Sequence, residues 1–217
     1  MGQGGYIFCE LDSIEKQVPK YQQVFQQLEN DLILKCNSDW HRSFGFLTPD
    51  AGQYGRTTIL PALFRGFGQV AATPGVAGTN SLIHWRQTIT ADEHQTLLMG
   101  NRTGNAIPED FKIGFLGLAF PNKNQHITEI KMQIGDRKLG RINLEEMRLY
   151  NKPALVFEEP FTIDEEQSFD LYGYVEGPIP DPLGGPGIPC IYQRIVMLGA
   201  AYYKQIDKVL GTPGAFI

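Results

Sequence analysis

The sequence predicts a mainly β protein built as an antiparallel sandwich. Apolar and polar side chains alternate in residues 168–176 and again in residues 126–134, the pattern of a strand with one face in a core and one in water. The inward positions are Phe169, Leu171 and Val175 in one segment and Ile130, Met132 and Ile134 in the other. Gly-, Pro- and Asn-rich turns divide the chain between about residues 81 and 200 into short segments of this kind, which is typical of an all-β fold.

Eight segments have the length and composition of strands. They are residues 82–90, 94–99, 111–120, 126–134, 137–142, 154–164, 168–176 and 191–200. Pro160 indicates a break or a sheet edge in the sixth of them. The turns at 121–124 and 135–136 carry Pro, Asn and Gly, whose backbone angles suit a chain reversal, so both are predicted to close hairpins.

Two helices are expected. The first is predicted at residues 12–34, where Asp12 and Glu15 have the spacing of a capping box. Pro19 interrupts this helix, so its best-supported part is residues 20–34. The apolar stripe of this helix consists of Tyr21, Val24, Phe25, Leu28 and Leu32. A second, short helix follows Asn143 and lies between the fifth and sixth strands.

Composition favours one folded domain with additions. The chain has 217 residues, of which 42% are hydrophobic and 20% charged, which is enough for one complete core. We divide it into an N-terminal helix and irregular arm (1–80), a sandwich (81–200) and a C-terminal tail (201–217). No apolar run approaches the roughly 20 residues of a membrane-spanning helix.

Two stretches outside the strands are unusually poor in charge or rich in breakers. Between residues 57 and 81 the only ionised side chain is Arg65, although Ile59, Leu60, Leu63, Phe64 and Phe67 are apolar. Such a stretch is expected either to cover the sandwich or to contact another molecule. Residues 177–189 are Gly or Pro at nine of thirteen positions, which predicts a semi-rigid surface loop.

The sequence contains no catalytic constellation. Its four histidines lack metal-ligand spacing, and its three cysteines are far apart with no C-x-x-C pair. Glu158 together with Glu176 or Glu129 could supply the two carboxylates of a glycosidase only if the fold brought them to one cleft. We therefore predict no catalytic residue, no cofactor site and no metal site.

One group of aromatic residues has a possible binding role. Tyr172 and Tyr174 share the polar face of the seventh strand, where tyrosines can grip a sugar or a protein partner. Trp85 is a third candidate for the same ligand platform. The alternative is that these rings pack beneath the uncharged segment at 43–81.

Eight strands, a short helix between the fifth and sixth and a Pro/Gly-rich loop between the seventh and eighth resemble a viral jelly roll, over about residues 81–198. The layout is similar to that of the single jelly-roll coat proteins of icosahedral viruses, and more loosely to those of membrane-containing bacterial and archaeal viruses. The likeness is one of layout and is not carried by a diagnostic motif.

The resemblance implies a structural virion protein, a capsid subunit made in the host cytoplasm that self-assembles into an icosahedral shell. Its partners would be copies of itself, other capsid proteins and an internal viral membrane. Residues 1–13 contain no Lys or Arg, so direct nucleic-acid binding by an N-terminal basic arm is not expected. The expected assembly residues are Tyr21, Phe25, Leu28, Phe64, Phe67, Pro180, Pro182, Pro186 and Phe216.

Two other classes of function stay open. A carbohydrate- or ligand-binding β-sandwich would use the platform of Tyr172, Tyr174 and Trp85. A cupin-like or glycanase-like enzyme would need a site assembled from distant residues. A binding module is expected to be a stable monomer, an enzyme to hold metal or turn over a substrate, and a coat protein to form obligate oligomers.

Overall fold

The computed structural model of the protein describes residues 5–10, 14, 21–44, 54–64, 85–89, 95–100, 107, 110–122, 126–175 and 191–204. Within them lie eleven strands, two α-helices and one 3-10 helix (Pro61–Leu63). The strands are β1 (Tyr6–Cys9), β2 (Tyr54–Thr57), β3 (Arg86–Ile89), β4 (Gln95–Gly100), β5 (Phe111–Ala119), β6 (Ile127–Ile134), β7 (Arg137–Asn143), β8 (Ala154–Ile163), β9 (Phe169–Val175), β10 (Ile191–Arg194) and β11 (Val196–Lys204). The helices are α1 (Tyr21–Phe44) and α2 (Glu145–Tyr150).

The strands pair only in the antiparallel sense among the described residues. One sheet has five strands in the order β1-β8-β5-β11-β2, and a second has four in the order β4-β9-β6-β7. A two-stranded ladder joins β10 to β3, and only Ile195 separates β10 from β11. The mainly β, antiparallel class predicted from the sequence is therefore confirmed.

The core lies where the alternation placed it. Phe169, Leu171 and Val175 of β9 are at most 1% exposed and belong to one apolar cluster. Ile130 and Met132 of β6 enter the same cluster. The inward faces of both strands are thus as predicted.

Strand β5 is buried along its whole length, because both of its faces are covered. Phe115 contacts the main core, whereas Leu116 belongs to a second cluster formed with α1. A Cβ added at Gly114 would lie 2.6 Å from Cδ1 of Leu32 and 2.9 Å from Cγ of Leu28. A glycine in the centre of the sheet therefore allows α1 to pack closely on it.

Helix α1 is longer than predicted. It begins within one residue of the expected firm start but ends at Phe44, not at Leu34. The extension includes Asn37, Ser38 and Asp39, which are poor helix formers because their side chains compete for backbone hydrogen bonds. Cys36 and Trp40, at 1% and 2% exposed, pack against the sheet and outweigh that preference.

Strands β1 and β2 were not predicted. Each has only four residues and lies at one edge of the five-stranded sheet. The predicted eighth segment ended at residue 200. Strand β11 continues to Lys204 and pairs there with β2, and Tyr202 is buried beneath α1.

Helix α2 lies where the sequence placed a short helix, between β7 and β8. The N-cap residue is Leu144, which offers no side-chain cap, and not Asn143 as predicted; the Oδ1 atom of Asn143 accepts a hydrogen bond from the backbone N–H of Glu145 at 2.7 Å, in an Asx turn just before the helix. Asn151 ends the helix in the left-handed conformation, with φ of 52°. Met147 points into the core, whereas Leu149 and Tyr150 are exposed.

Candidate functional site

The predicted apolar stripe of α1 faces its own sheet. Leu28 is 2% exposed and packs in the cluster between α1 and the five-stranded sheet. Tyr21 and Phe25 are half-buried against the same cluster, with their rings stacked 6.2 Å apart. Leu28 is therefore unable to contact a neighbour while α1 stays in place, because the sheet already covers its side chain.

Phe64 belongs to the main core, and Trp85 is partly buried against it. Phe64 is 5% exposed, and its ring centroid lies 5.6 Å from that of Phe169 and 6.3 Å from that of Trp85. These contacts lie on the inner side of β9. Part of the uncharged segment thus covers its own sandwich, which is one of the two roles the composition allowed.

The remaining predicted assembly residues lie outside the described residues. They are Phe67, Pro180, Pro182, Pro186 and Phe216.

The three rings of the predicted ligand platform do not share one surface. Tyr172 and Tyr174 alternate with the inward residues of β9 and so lie on its outer face, opposite to the side that Trp85 contacts. Tyr172 is 9% exposed, which leaves little of its ring for a ligand. Tyr174 is half-buried, and the guanidinium carbon of Arg141 lies 5.0 Å from its ring centroid.

Arg141 also pairs with a carboxylate on this outer face. Its Nη1 atom lies 3.2 Å from Oε1 of Glu129 on β6. Glu158 belongs to β8 in the other sheet, so it does not share a cleft with Glu129. Glu176 lies outside the described residues.

A cluster of charged residues that sequence reasoning missed joins α1 to the sheet. The Lys112 side chain on β5 is 1% exposed, and its Nζ lies 2.8 Å from Oδ2 of Asp39 and 3.5 Å from Oε1 of Glu165. The Nζ atom also lies 5.6 Å from the ring centroid of Trp40, whose Nε1–H donates to Oε2 of Glu165. We call these four residues the Lys112 cluster.

The Lys112 cluster holds a charged amine. Burial lowers the pKa of Lys112 most strongly, but the hydrogen bond to Asp39 and the charges of Glu165, Asp39 and Asp164 together outweigh it and raise that pKa above 10.5. Beside the cluster, Nζ of Lys35 donates to Asp164 and to Thr162 at 2.8–3.0 Å. This arrangement binds α1 to the sheet and offers no free base or nucleophile.

The partners of Lys112 are far from it in the sequence: Asp39 is 73 residues away and Glu165 is 53 residues away. Their local signal was a single lysine at the start of a strand that is otherwise apolar on both faces. Such a lysine requires a buried counter-charge, but the sequence does not say which carboxylate supplies it.

An open groove of about 680 Å³ lies beside α2. Residues 145–149 of α2 form one side of the groove, and the rest of its lining consists of Phe120, Asn122, Asn151 and Pro153. Within the part of the chain that the structure describes, no group of His, Cys, Asp and Glu has the arrangement of a metal site. No helix among the same residues is long and apolar enough to cross a membrane.

These features define an antiparallel β protein with a helix clamped on one sheet and an exposed short helix at one end. Comparisons with protein-family models, with curated proteins and with solved structures found no match for the chain.

Proposed function

We propose that the chain is a single jelly roll. Counted along the chain, the eight predicted segments pair first with eighth (β3 with β10), second with seventh (β4 with β9), third with sixth (β5 with β8) and fourth with fifth (β6 with β7). This nested order is that of one long antiparallel hairpin folded over into two sheets, which is how two Greek keys make a jelly roll. Strands β1 and β2 are then additions to the two edges of one sheet.

The function that this arrangement supports best is that of a capsid subunit, which self-assembles into an icosahedral shell and resides in the virion. The nested pairing is the observation that carries the proposal, since viral coat proteins are a major group that uses this fold. Because one fold serves many functions, the proposal needs a test of assembly. Its partners would be copies of itself, further capsid proteins and an internal viral membrane.

The first test is the mass of the purified protein by light scattering over a concentration series, with negative-stain images of the same samples. Pentamers, hexamers or closed particles are expected. A monomer at every concentration would contradict a shell-forming role.

Deleting residues 211–217 tests whether the C-terminal tail contributes to assembly. The expected result is a smaller oligomer, because residues 211–217 carry no charged side chain and end in apolar residues. An unchanged oligomer size would exclude the tail from the contacts while leaving the shell proposal in place.

A second candidate function is ligand binding on the outer face of the four-stranded sheet. The observation that favours it is Tyr174, whose ring lies beneath the Arg141 guanidinium on a face rich in polar groups. A glycan array probed with the wild type and with Tyr174→Ala tests this candidate. Binding that survives the substitution would remove the ring from the site, and Tyr6→Ala, at an exposed tyrosine of β1 in the other sheet, is the matched control.

A further inference from the structure

Helix α2 has the strongest concentration of exposed apolar surface in the described structure. Leu149 and Tyr150 are adjacent and are 76% and 62% exposed. Only Leu34 and Tyr6 are comparable among the described large apolar side chains, and each of these stands alone. Two neighbouring large apolar residues in water are costly, at ~25 cal/mol per Å² of apolar area, and such a patch marks an interaction surface.

The patch contains both a protrusion and a hollow. Leu149 and Tyr150 are exposed on α2, and Leu149 also forms part of the wall of the groove, together with Pro153 and the largely buried Phe120 and Met147. A contact across a two-fold axis brings the same surface of two copies together, so it requires a surface that fits itself. With the protrusion next to the groove, each copy can insert its own side chains into the groove of the other.

The charges of α2 have the same self-complementary arrangement. Glu145 and Glu146 occupy the first turn, and Arg148 lies in the last turn. All three side chains are exposed, and among the described residues none of them forms an ion pair within the subunit. When two α2 helices lie antiparallel, Arg148 of each copy faces Glu145 and Glu146 of the other.

We infer that α2 and its groove form a two-fold contact between two copies of this chain. A partner of one charge sign would oppose either Arg148 or the two glutamates to a like charge, whereas a second antiparallel copy sets each Arg148 against the carboxylates of the other copy. The inference deepens the proposed function, because it names a surface through which the subunits would assemble.

Charge exchange tests the contact. Arg148→Glu gives α2 only acidic side chains, and the double substitution Glu145→Lys, Glu146→Lys gives it only basic ones. Each variant alone is expected to weaken self-association about tenfold or more, since like charges then meet at the axis. An equimolar mixture is expected to restore association as a heterodimer, because both ion pairs form again. Sedimentation velocity of each variant and of the mixture measures this.

Controls separate the contact from general effects of charge and apolar surface. Lys138→Glu on β7 changes net charge as much as Arg148→Glu does, and it is expected to associate like the wild type. Leu149→Glu is expected to weaken association, whereas Leu34→Glu on α1 is not. A misfolded variant would be revealed by its circular dichroism and would fail to recover in the mixture.

The outcomes distinguish this inference from the shell proposal. Particles or rings that are insensitive to the α2 variants would overturn the α2 contact and leave the shell proposal standing. A dimer that depends on α2 and never enlarges would support the contact and contradict the shell. A mixture no more associated than its components, or a wild type that is monomeric at every concentration, would overturn the contact.

Discussion

Removing Asp39 is expected to destabilise the protein more than removing the buried lysine that it pairs with. In Asp39→Ala the Nζ atom of Lys112 loses its partner at 2.8 Å and keeps only Glu165 at 3.5 Å. The lysine side chain is 1% exposed, so its charge depends mainly on its carboxylate partners. Removing one partner of a buried ion pair costs about 3–5 kcal/mol. Since Glu165 remains and Asp39 is itself 46% exposed, we expect a loss of about 2 kcal/mol.

Lys112→Met removes the buried cation and keeps a flexible apolar chain of similar length in its place. Asp39 and Glu165 then lose a partner, but both are partly exposed and stay hydrated. The free energy of unfolding is expected to change by less than about 1 kcal/mol. In the Lys112→Met background, Asp39→Ala is expected to cost little more, because its cost arises from the cation.

Urea denaturation measures these differences, with the midpoint and slope fitted separately for each variant. A Lys112→Met protein that loses as much stability as Asp39→Ala would refute the reasoning.

The pH dependence of stability gives a second check. Because the pKa of Lys112 is raised by folding, its contribution is fully present below 10.5 and is lost as the pH rises through the folded-state pKa. This alkaline loss is expected to be smaller in Lys112→Met than in the wild type; a residual loss is expected in both, because burial also raises the pKa of the Cys36 thiol.

Three further predictions concern the packing of the sandwich. Leu32→Ala is expected to lower the free energy of unfolding by about 2–5 kcal/mol and Leu34→Ala by less than about 0.5 kcal/mol, because these α1 residues are 0% and 66% exposed. Equal midpoint shifts in urea would mean that a different face of α1 packs on the sheet. Gly117→Ala is expected to destabilise the protein by about 3 kcal/mol or more, since the added Cβ would meet a backbone carbonyl of β8. Gly135→Asn should cost less than about 1 kcal/mol, because Gly135 lies in open space at φ of 55°. Similar thermal midpoints for the two variants would count against this packing. Burial raises the pKa of the Cys36 thiol to about 12, so iodoacetamide at pH 8 should modify Cys36 only after denaturation. Peptide mass spectra that show Cys36 alkylated in the native protein would contradict its burial between α1 and the sheet.

Local patterns were sufficient for most of the sandwich. Each of the eight predicted segments overlaps at least one strand of the structure, because alternation and turn chemistry are encoded over a few neighbouring residues, although the eighth segment is divided at Ile195 into two strands. Strands β1 and β2 gave no such signal. Both are short, and both form because an edge of the five-stranded sheet is open to them, which depends on residues about 150 positions away.

The candidate sites were harder to predict for the same reason. The stripe of α1 was read correctly as one face, but sequence alone did not decide whether that face meets the sheet or a neighbour. The stripe packs on the sheet because Gly114 has no side chain, which leaves the space that Leu28 occupies. The Lys112 cluster and the exposed surface of α2 likewise depend on how distant elements meet.

The position of β11 also determines when the protein can fold. This last described strand lies between β5 and β2, and the adjoining β10 pairs with β3. Strands β2, β3 and β5 therefore lack these partners until residues 191–204 have been made. A nascent chain on the ribosome would expose one side of β5 until then, and pairing over such separations is slow. The five-stranded sheet is therefore completed only after nearly all of the described chain has been synthesised.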